Sequence, residues 1–299
     1  MIVGALDLGT NTTRLLVADV EGDRIEELHR ETRITRLGEG VDARRRLLPL
    51  PIARVRNVLS DYRRTAESLG AERTLLVATS AVRDAENGEA FLGEIEWSYG
   101  FATQLLSGDE EAELTRRGVG DLAPETLLVD IGGGSTELVL GDFHTSLPMG
   151  SGRFTERHGE EVPTLEEAAR KILPRELEPQ DAVGVAATIT TLAALDLGLE
   201  HYDRERVHGH LLTREGAQAQ LERLAALPLE ERRSVPALDP ERAPVIVAGA
   251  AILVSILDAY DLPGIRASER DILDGAALAA TELPEPEEGA APPGAYTCC

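Results

Sequence analysis

The sequence predicts an α/β protein of two like domains, and three observations predict it. Short apolar runs that read as strands alternate with stretches of helical period. One pattern (strand, acidic end residue, small polar loop, strand, turn, strand) occurs twice, with Asp7 and Asp130 at equivalent places. A duplicated pattern of this kind marks a duplicated structural unit, and two like domains facing each other would bring both loops to one cleft. The third is composition: at 299 residues, 42% hydrophobic and only 3% aromatic, the chain is long enough for two cores built from Leu, Val, Ile and Ala. The expected division is a first domain over 1–122, a second over 123–283, and a disordered tail over 284–299.

The elements follow in order. Ile2 to Leu6 is a short apolar strand ending at Asp7, followed by Gly9-Thr10-Asn11-Thr12 and the apolar stretch Leu15 to Ala18. Glu21-Gly22-Asp23 supplies turn chemistry before a returning strand at Ile25 to Leu28. Ile52, Val55, Leu59, Tyr62, Ala66 and Leu69 recur at helical spacing, with Pro51 at the start and Gly70 past the end. Arg73 to Thr79 reads as a buried strand. The pattern then returns: Thr126 to Val129 leads to Asp130, Gly132-Gly133-Gly134-Ser135-Thr136 forms the loop, and Leu138 to Leu140 and Phe143 to Leu147 flank a Gly141-Asp142 turn. Thr164 and Glu167 predict a capping box for a helix Leu165 to Leu173. Val183 to Ala186 is a short strand, and Pro244 to Tyr260 a buried apolar helix. From Pro284 the composition turns to Pro, Glu, Gly and Ala without apolar period, as in disordered segments.

Charge and cysteine usage exclude several classes. The net charge of −23 disfavours non-specific binding to nucleic acid or to an anionic membrane. No apolar run is long enough for a membrane span, and no secretory leader is recognisable, so a cytoplasmic location is expected. The only cysteines, Cys298 and Cys299, are adjacent and cannot staple a fold. Lys171 is the only lysine, so the remaining basic residues are arginine, the side chain best shaped for phosphate. Arg44-Arg45-Arg46 reads either as a solvated loop or as the lining of a channel for a polyanion.

The two loops carry the chemistry. Glycine lets backbone N–H groups approach a phosphate oxygen, and Ser and Thr hydroxyls add donors. Gly132, Gly133, Gly134, Ser135 and Thr136 offer this after a strand, and Gly9, Thr10, Asn11 and Thr12 offer a weaker version. An aspartate beside such a loop would be repelled by phosphate alone. Its presence makes sense if a divalent cation, Mg²⁺ or another, lies between, with Asp7, Asp130 and Glu137 as candidate ligands. Walker, HExxH, GxSxG and cysteine metal motifs are absent, and His208-Gly209-His210 reads as a loop.

At this point the residues resemble a known family. Asp7 to Leu15 (DLGTNTTRL) is similar to the first phosphate motif of the exopolyphosphatase and guanosine-pentaphosphatase (Ppx/GppA) family, and Asp130 to Leu138 (DIGGGSTEL) to the second. Thr79 to Asn87, Ser107 to Ala112, Leu147 to Gly150 and Asp271 to Gly275 resemble its other motifs, in the right order. The resemblance runs from Ile2 to about Leu278 and fits a short form without extra C-terminal helical domains. It implies two ribonuclease-H-like domains of the actin-like ATPase superfamily. It also implies metal-assisted release of terminal orthophosphate from inorganic polyphosphate, with guanosine pentaphosphate as the alternative substrate. Glu111 matches the glutamate that activates the attacking water, and a Ser107–Glu110 capping box would place it in a helix's first turn. Arg83 and Arg14 match phosphate-binding positions, each with surface ion pairing as the plainer reading. A homodimer is compatible with the resemblance alone.

Two departures bear on the substrate. Ala186-Ala187-Thr188 stands where a glycine is expected before the threonine, and Asp271 to Gly275 lacks the arginine of longer relatives. Both disfavour a nucleotide relative to a phosphate chain. An ATP-dependent phosphotransferase of the same architecture and a non-catalytic polyphosphate or alarmone sensor are the competing classes. The first lacks a clear acceptor site, and the second would be expected to lose Glu111 or the aspartates.

Overall fold

The computed structural model describes residues 1–284, so the expected tail beyond Pro284, with Cys298 and Cys299, lies outside the described residues. The chain divides into two units. One is Met1–Gly118 together with the segment from Ile272, and the other is Val119–Asp271.

In the first unit, β1 (Ile2–Leu8), β2 (Thr12–Glu21), β3 (Arg24–Ile34), β4 (Arg73–Ala78) and β5 (Ala102–Leu105) form a sheet ordered β3-β2-β1-β4-β5. The first three strands form an antiparallel meander, and β4 and β5 continue parallel to β1. Alternate residues point to opposite faces of a strand, and both faces of β1 are covered. Leu6, Leu8, Leu15 and Val17 pack with Val55, Leu59 and Tyr62 of the helix Pro49–Ser68. Val3, Ala5, Leu16 and Ala18 pack with Leu273, Ala276 and Ala277 of the helix Ile272–Ala280. Burial on both sides explains why β1 reads as a continuous apolar run.

The second unit repeats the design. Its strands are β6 (Thr126–Ile131), β7 (Thr136–Leu140), β8 (Phe143–Leu147), β9 (Asp181–Val185), β10 (Leu211–Thr213) and β11 (Gly264–Ala267), ordered β10-β11-β9-β6-β7-β8. Read from β8, the order and strand senses match those of the first sheet, with β10 added antiparallel at the edge. This is the ribonuclease-H-like pattern in both halves. The apolar helix Ile246–Ala259 lies in the core of this unit, buried from Ile246 through Leu257. Among the described residues, no helix is long and apolar enough to cross a membrane.

Two expectations are corrected. The helix at 162–172 begins at Val162 with Glu161 at its N-cap and has no side-chain cap. Pro163 lacks an N–H and suits a helix's first turn, so the helix starts ahead of Thr164 and no capping box forms there. The second correction concerns the domain boundary, expected at 283. The helix Ile272–Ala280 belongs to the first unit, because its small and branched side chains complete the second face of that unit's sheet. Arg30 of β3 holds it by donating to both oxygens of the buried Asp274 at 3.0 Å. Gly275 permits the approach: a Cβ there would lie 1.9 Å from the carbonyl oxygen of Leu114. Gly275→Ala is therefore expected to lower the unfolding free energy by about 1–3 kcal/mol, as overpacking does. Urea titration checks this, and a variant as stable as its parent would contradict the close docking of this helix.

Candidate active site

In the first unit the residues with chemistry gather at the carboxyl ends of the parallel strands β1, β4 and β5, the edge at which open α/β sheets bind ligands. Asp7 ends β1, Ser80 and Arg83 follow β4, and Glu111 follows β5. Asp7 is buried and stands directly across from Arg14 in the β1–β2 register. The Nε and a terminal nitrogen of Arg14 donate to the same Asp7 oxygen, at 2.8 and 2.7 Å. Arg14, expected to bind phosphate, turns two of its three nitrogens toward Asp7, so a guanidinium lies beside the carboxylate expected to hold a cation.

The first loop is shaped by its carbonyls. The Gly9 N–H donates to Thr12 O at 2.9 Å, which closes a tight turn. The carbonyl of Thr10 accepts from Gly38 N, and that of Asn11 from Thr35 N and Arg36 N. A peptide's C=O and N–H point in opposite directions, so anchoring these carbonyls turns the N–H groups of Asn11 and Thr12 the other way. The Thr10 hydroxyl pairs with the Ser80 hydroxyl at 2.8 Å and ties this loop to the turn after β4. Sequence reasoning missed the segment Thr35–Gly38 and the role of Ser80. Only Gly38 carried a signal, since a Cβ there would lie 2.3 Å from the Thr10 methyl.

Glu111 sits where the capping box predicted. Ser107 N donates to a Glu110 oxygen at 2.8 Å, and Glu110 N to Ser107 Oγ at 3.2 Å. Glu111 thus falls in the first turn of the helix Gly108–Val119, only 7% exposed. One terminal nitrogen of Arg83 donates to Glu111 Oε2 at 3.1 Å and to Leu106 O at 2.6 Å. Arg83, expected to hold phosphate, therefore also positions Glu111. Its Nε and other terminal nitrogen make no such bond among the described residues and remain available to an anion.

In the second unit, Asp130 at the end of β6 pairs in register with Glu137 of β7, the place that Arg14 holds opposite Asp7. The two carboxylates are buried, and Ser146 Oγ donates to Glu137 at 2.7 Å. Carboxylates on adjacent strands offer the hard oxygen donors that Mg²⁺ accepts, with water and phosphate completing its shell. Among the described residues no group of three or more His, Cys, Asp and Glu side chains is placed to hold a metal ion.

The glycine loop follows the same logic as the first. Gly132 O accepts from Ser151 N, and Gly133 O from Gly152 N and Arg153 N, all near 2.9–3.0 Å. The N–H groups of Gly133 and Gly134 are thereby turned away from the helix Ser151–His158. Gly150 allows this approach, since a Cβ there would lie 2.5 Å from Gly133 C and Gly134 N. The motif Leu147 to Gly150 thus braces the loop, and Ser151, missed in the sequence, completes the brace. Thr136 is a correction: fully buried, it donates its hydroxyl proton to Met149 O and is no donor to a ligand. Ser135 is buried beside it. Ala186 adopts φ 64°, in the left-handed region more natural to glycine. His208 and His210 serve different partners, Glu269 N and Asp196 respectively, as a loop pair does.

The Ser107–Glu110 cap yields a test. The Ser107 N–H holds the Glu110 carboxyl below its ordinary range, so the charged cap stabilises above that range and is lost as pH falls through the lowered folded value. Glu110→Ala is expected to cost about 0.5–1 kcal/mol at neutral pH, with the difference fading under acid. A deficit that stays constant to acidic pH in urea titrations would remove the carboxylate from the cap.

The chain as a whole is similar to several known proteins. Exopolyphosphatase 2 of Mycobacterium tuberculosis is 37% identical over 311 residues, covering 92% of this chain and 97% of that protein. The crystal structure of an exopolyphosphatase-like protein matches with a TM-score of 0.85 and 31% identity, over 93% of this chain and 97% of that one. The Ppx/GppA family member of Aquifex aeolicus gives a TM-score of 0.77 and 27% identity, over 94% and 98% of the two chains. A sequence model of the Ppx/GppA phosphatase family matches residues 16–279, and the chain belongs to that family.

Proposed function

We propose that this protein is an exopolyphosphatase that releases terminal orthophosphate from inorganic polyphosphate. The buried Glu111 carboxylate, fixed by Arg83 at the strand ends, is the observation that carries the reading. A water oxygen bonds to the terminal phosphorus, its proton passes to Glu111, and the bond from phosphorus to the bridging oxygen breaks. Arg83 holds the phosphate with its remaining nitrogens, and the N–H groups of the first loop, in the same unit, supply further donors. Asp130 and Glu137 are the residues that would hold Mg²⁺ or another divalent cation, which when bound neutralises phosphoryl charge. The relatives named exopolyphosphatase support the substrate class. Guanosine pentaphosphate is the second choice, because Ala186-Ala187-Thr188 lacks the glycine that the family resemblance leads one to expect before the threonine.

Phosphate release with Mg²⁺, offered polyphosphate, guanosine pentaphosphate and ATP in parallel, tests this. Polyphosphate is expected to be the best substrate. Glu111→Gln should lower turnover by about 10²–10⁴-fold while leaving binding intact. Near-normal turnover would remove Glu111 as the base, and release from the guanosine compound alone would move the substrate assignment. Glu137→Gln is expected to raise the Mg²⁺ concentration for half-maximal activity by about tenfold or more. An unchanged metal titration would place the cation elsewhere.

A further inference from the structure

A second basic feature lies in the first unit, outside the residues assigned above. Arg44, Arg46, Arg56 and Asn87 surround a cavity of about 350 Å³ with Leu48 and Ile52 in its wall. Arg56 is committed: it donates to both oxygens of Glu94 at 2.7 Å. The guanidinium groups of Arg44 and Arg46 are exposed and have no ion-pair or hydrogen-bond partner among the described residues. Among the described residues no Asp or Glu lines the pocket itself, although Arg56 in its wall is paired with Glu94.

The backbone that presents these arginines is fixed. Arg45 adopts φ 54°, unusual for a non-glycine residue, and its N–H donates to Val41 O. Its carbonyl accepts from Glu86 N at 2.8 Å, while the Asn87 side chain both accepts from Leu47 N and donates to Leu47 O. Holding such a turn has an energetic cost, and here it aims two arginines from one rigid loop. The helix Pro49–Ser68 also starts at this pocket, with no acidic residue in its first turn to offset the positive end of its dipole. Pro49 and Pro51 remove two of the N–H donors that a helix start offers, so recognition rests on the arginines and on charge. Glu86 and Asn87, which clamp the loop, follow Arg83 on one short segment.

We propose that this pocket is an exosite for a condensed phosphate chain, taking phosphates remote from the one being hydrolysed. The proposal rests on the exopolyphosphatase reading for the identity of its ligand. It requires binding to depend on chain length, since a short chain engaged at Arg83 would not occupy both places.

The test is equilibrium binding of labelled long-chain polyphosphate and of tripolyphosphate. It uses full-length protein carrying Glu111→Gln, so that ligand is not consumed, with and without Arg44→Gln and Arg46→Gln. Both side chains are exposed, and an unchanged melting temperature confirms folding. Long-chain affinity is expected to fall about tenfold, or about 1.4 kcal/mol, with a shallower salt dependence, while tripolyphosphate affinity changes less than about twofold. Equal loss for both ligands, or no loss for the long chain, would overturn the exosite. If the parent protein hydrolyses no polyphosphate yet long-chain binding still needs both arginines, the exosite stands and the catalytic reading fails.

Discussion

A carboxylate buried at the end of a central strand must be balanced, and the way each unit balances it sets the chemistry available there. In both sheets the strand-end aspartate faces a β-strand neighbour seven residues later, and the two sheets answer differently. Opposite Asp7 stands Arg14, whose guanidinium meets the carboxylate at 2.7 Å. Opposite Asp130 stands Glu137. Like charges directly opposite on a sheet repel, and burial removes the water that would screen them. One copy of the duplicated unit therefore carries its own cation, while the other presents paired oxygen ligands. A duplicated fold thus need not present the same charges twice: one side chain separates a carboxylate paired with an arginine from a carboxylate paired with a second one.

The loops show a second constraint. Glycine-rich turns bind anions only if their N–H groups converge, and an unanchored turn has no reason to hold them so. Here the orientation comes from the opposite side of each peptide. The carbonyls of Thr10 and Asn11 are held by Thr35, Arg36 and Gly38, and those of Gly132 and Gly133 by Ser151, Gly152 and Arg153. The donors at the start of the helix Ser151–His158 are spent on this brace. Preorganisation of that kind is what makes backbone donors effective against developing charge.

Much of this was legible in the sequence, because its signals were local. The repeat exposed both sheets, and Ser107 with Glu110 located the start of the helix that carries Glu111. What escaped was long-range. The helix Ile272–Ala280 packs on a sheet formed by strands more than 150 residues earlier in the chain, and apolar period says that a helix is buried without saying against what. The bracing of Asn11 by Thr35 and Arg36 uses backbone groups, which any sequence supplies. Thr136 was misread because a hydroxyl beside a glycine loop can serve either a ligand or a carbonyl, and only packing decides.

The net charge of −23 would repel a polyanion from a distance, so recognition has to be won locally. At physiological salt a surface charge is screened beyond about 8 Å, and within that range a few guanidinium groups outweigh the average. In the proposed mechanism Arg83 meets two demands. A cation beside a base orients it but also lowers its proton affinity, whereas phosphate needs the same cation for binding. Guanidinium has five donors in a fixed plane, and Arg83 spends a single nitrogen on Glu111 and Leu106. A lysine, with one charged nitrogen, would have to divide that atom between base and substrate. The arginine can hold the base with one edge and offer the other to phosphate.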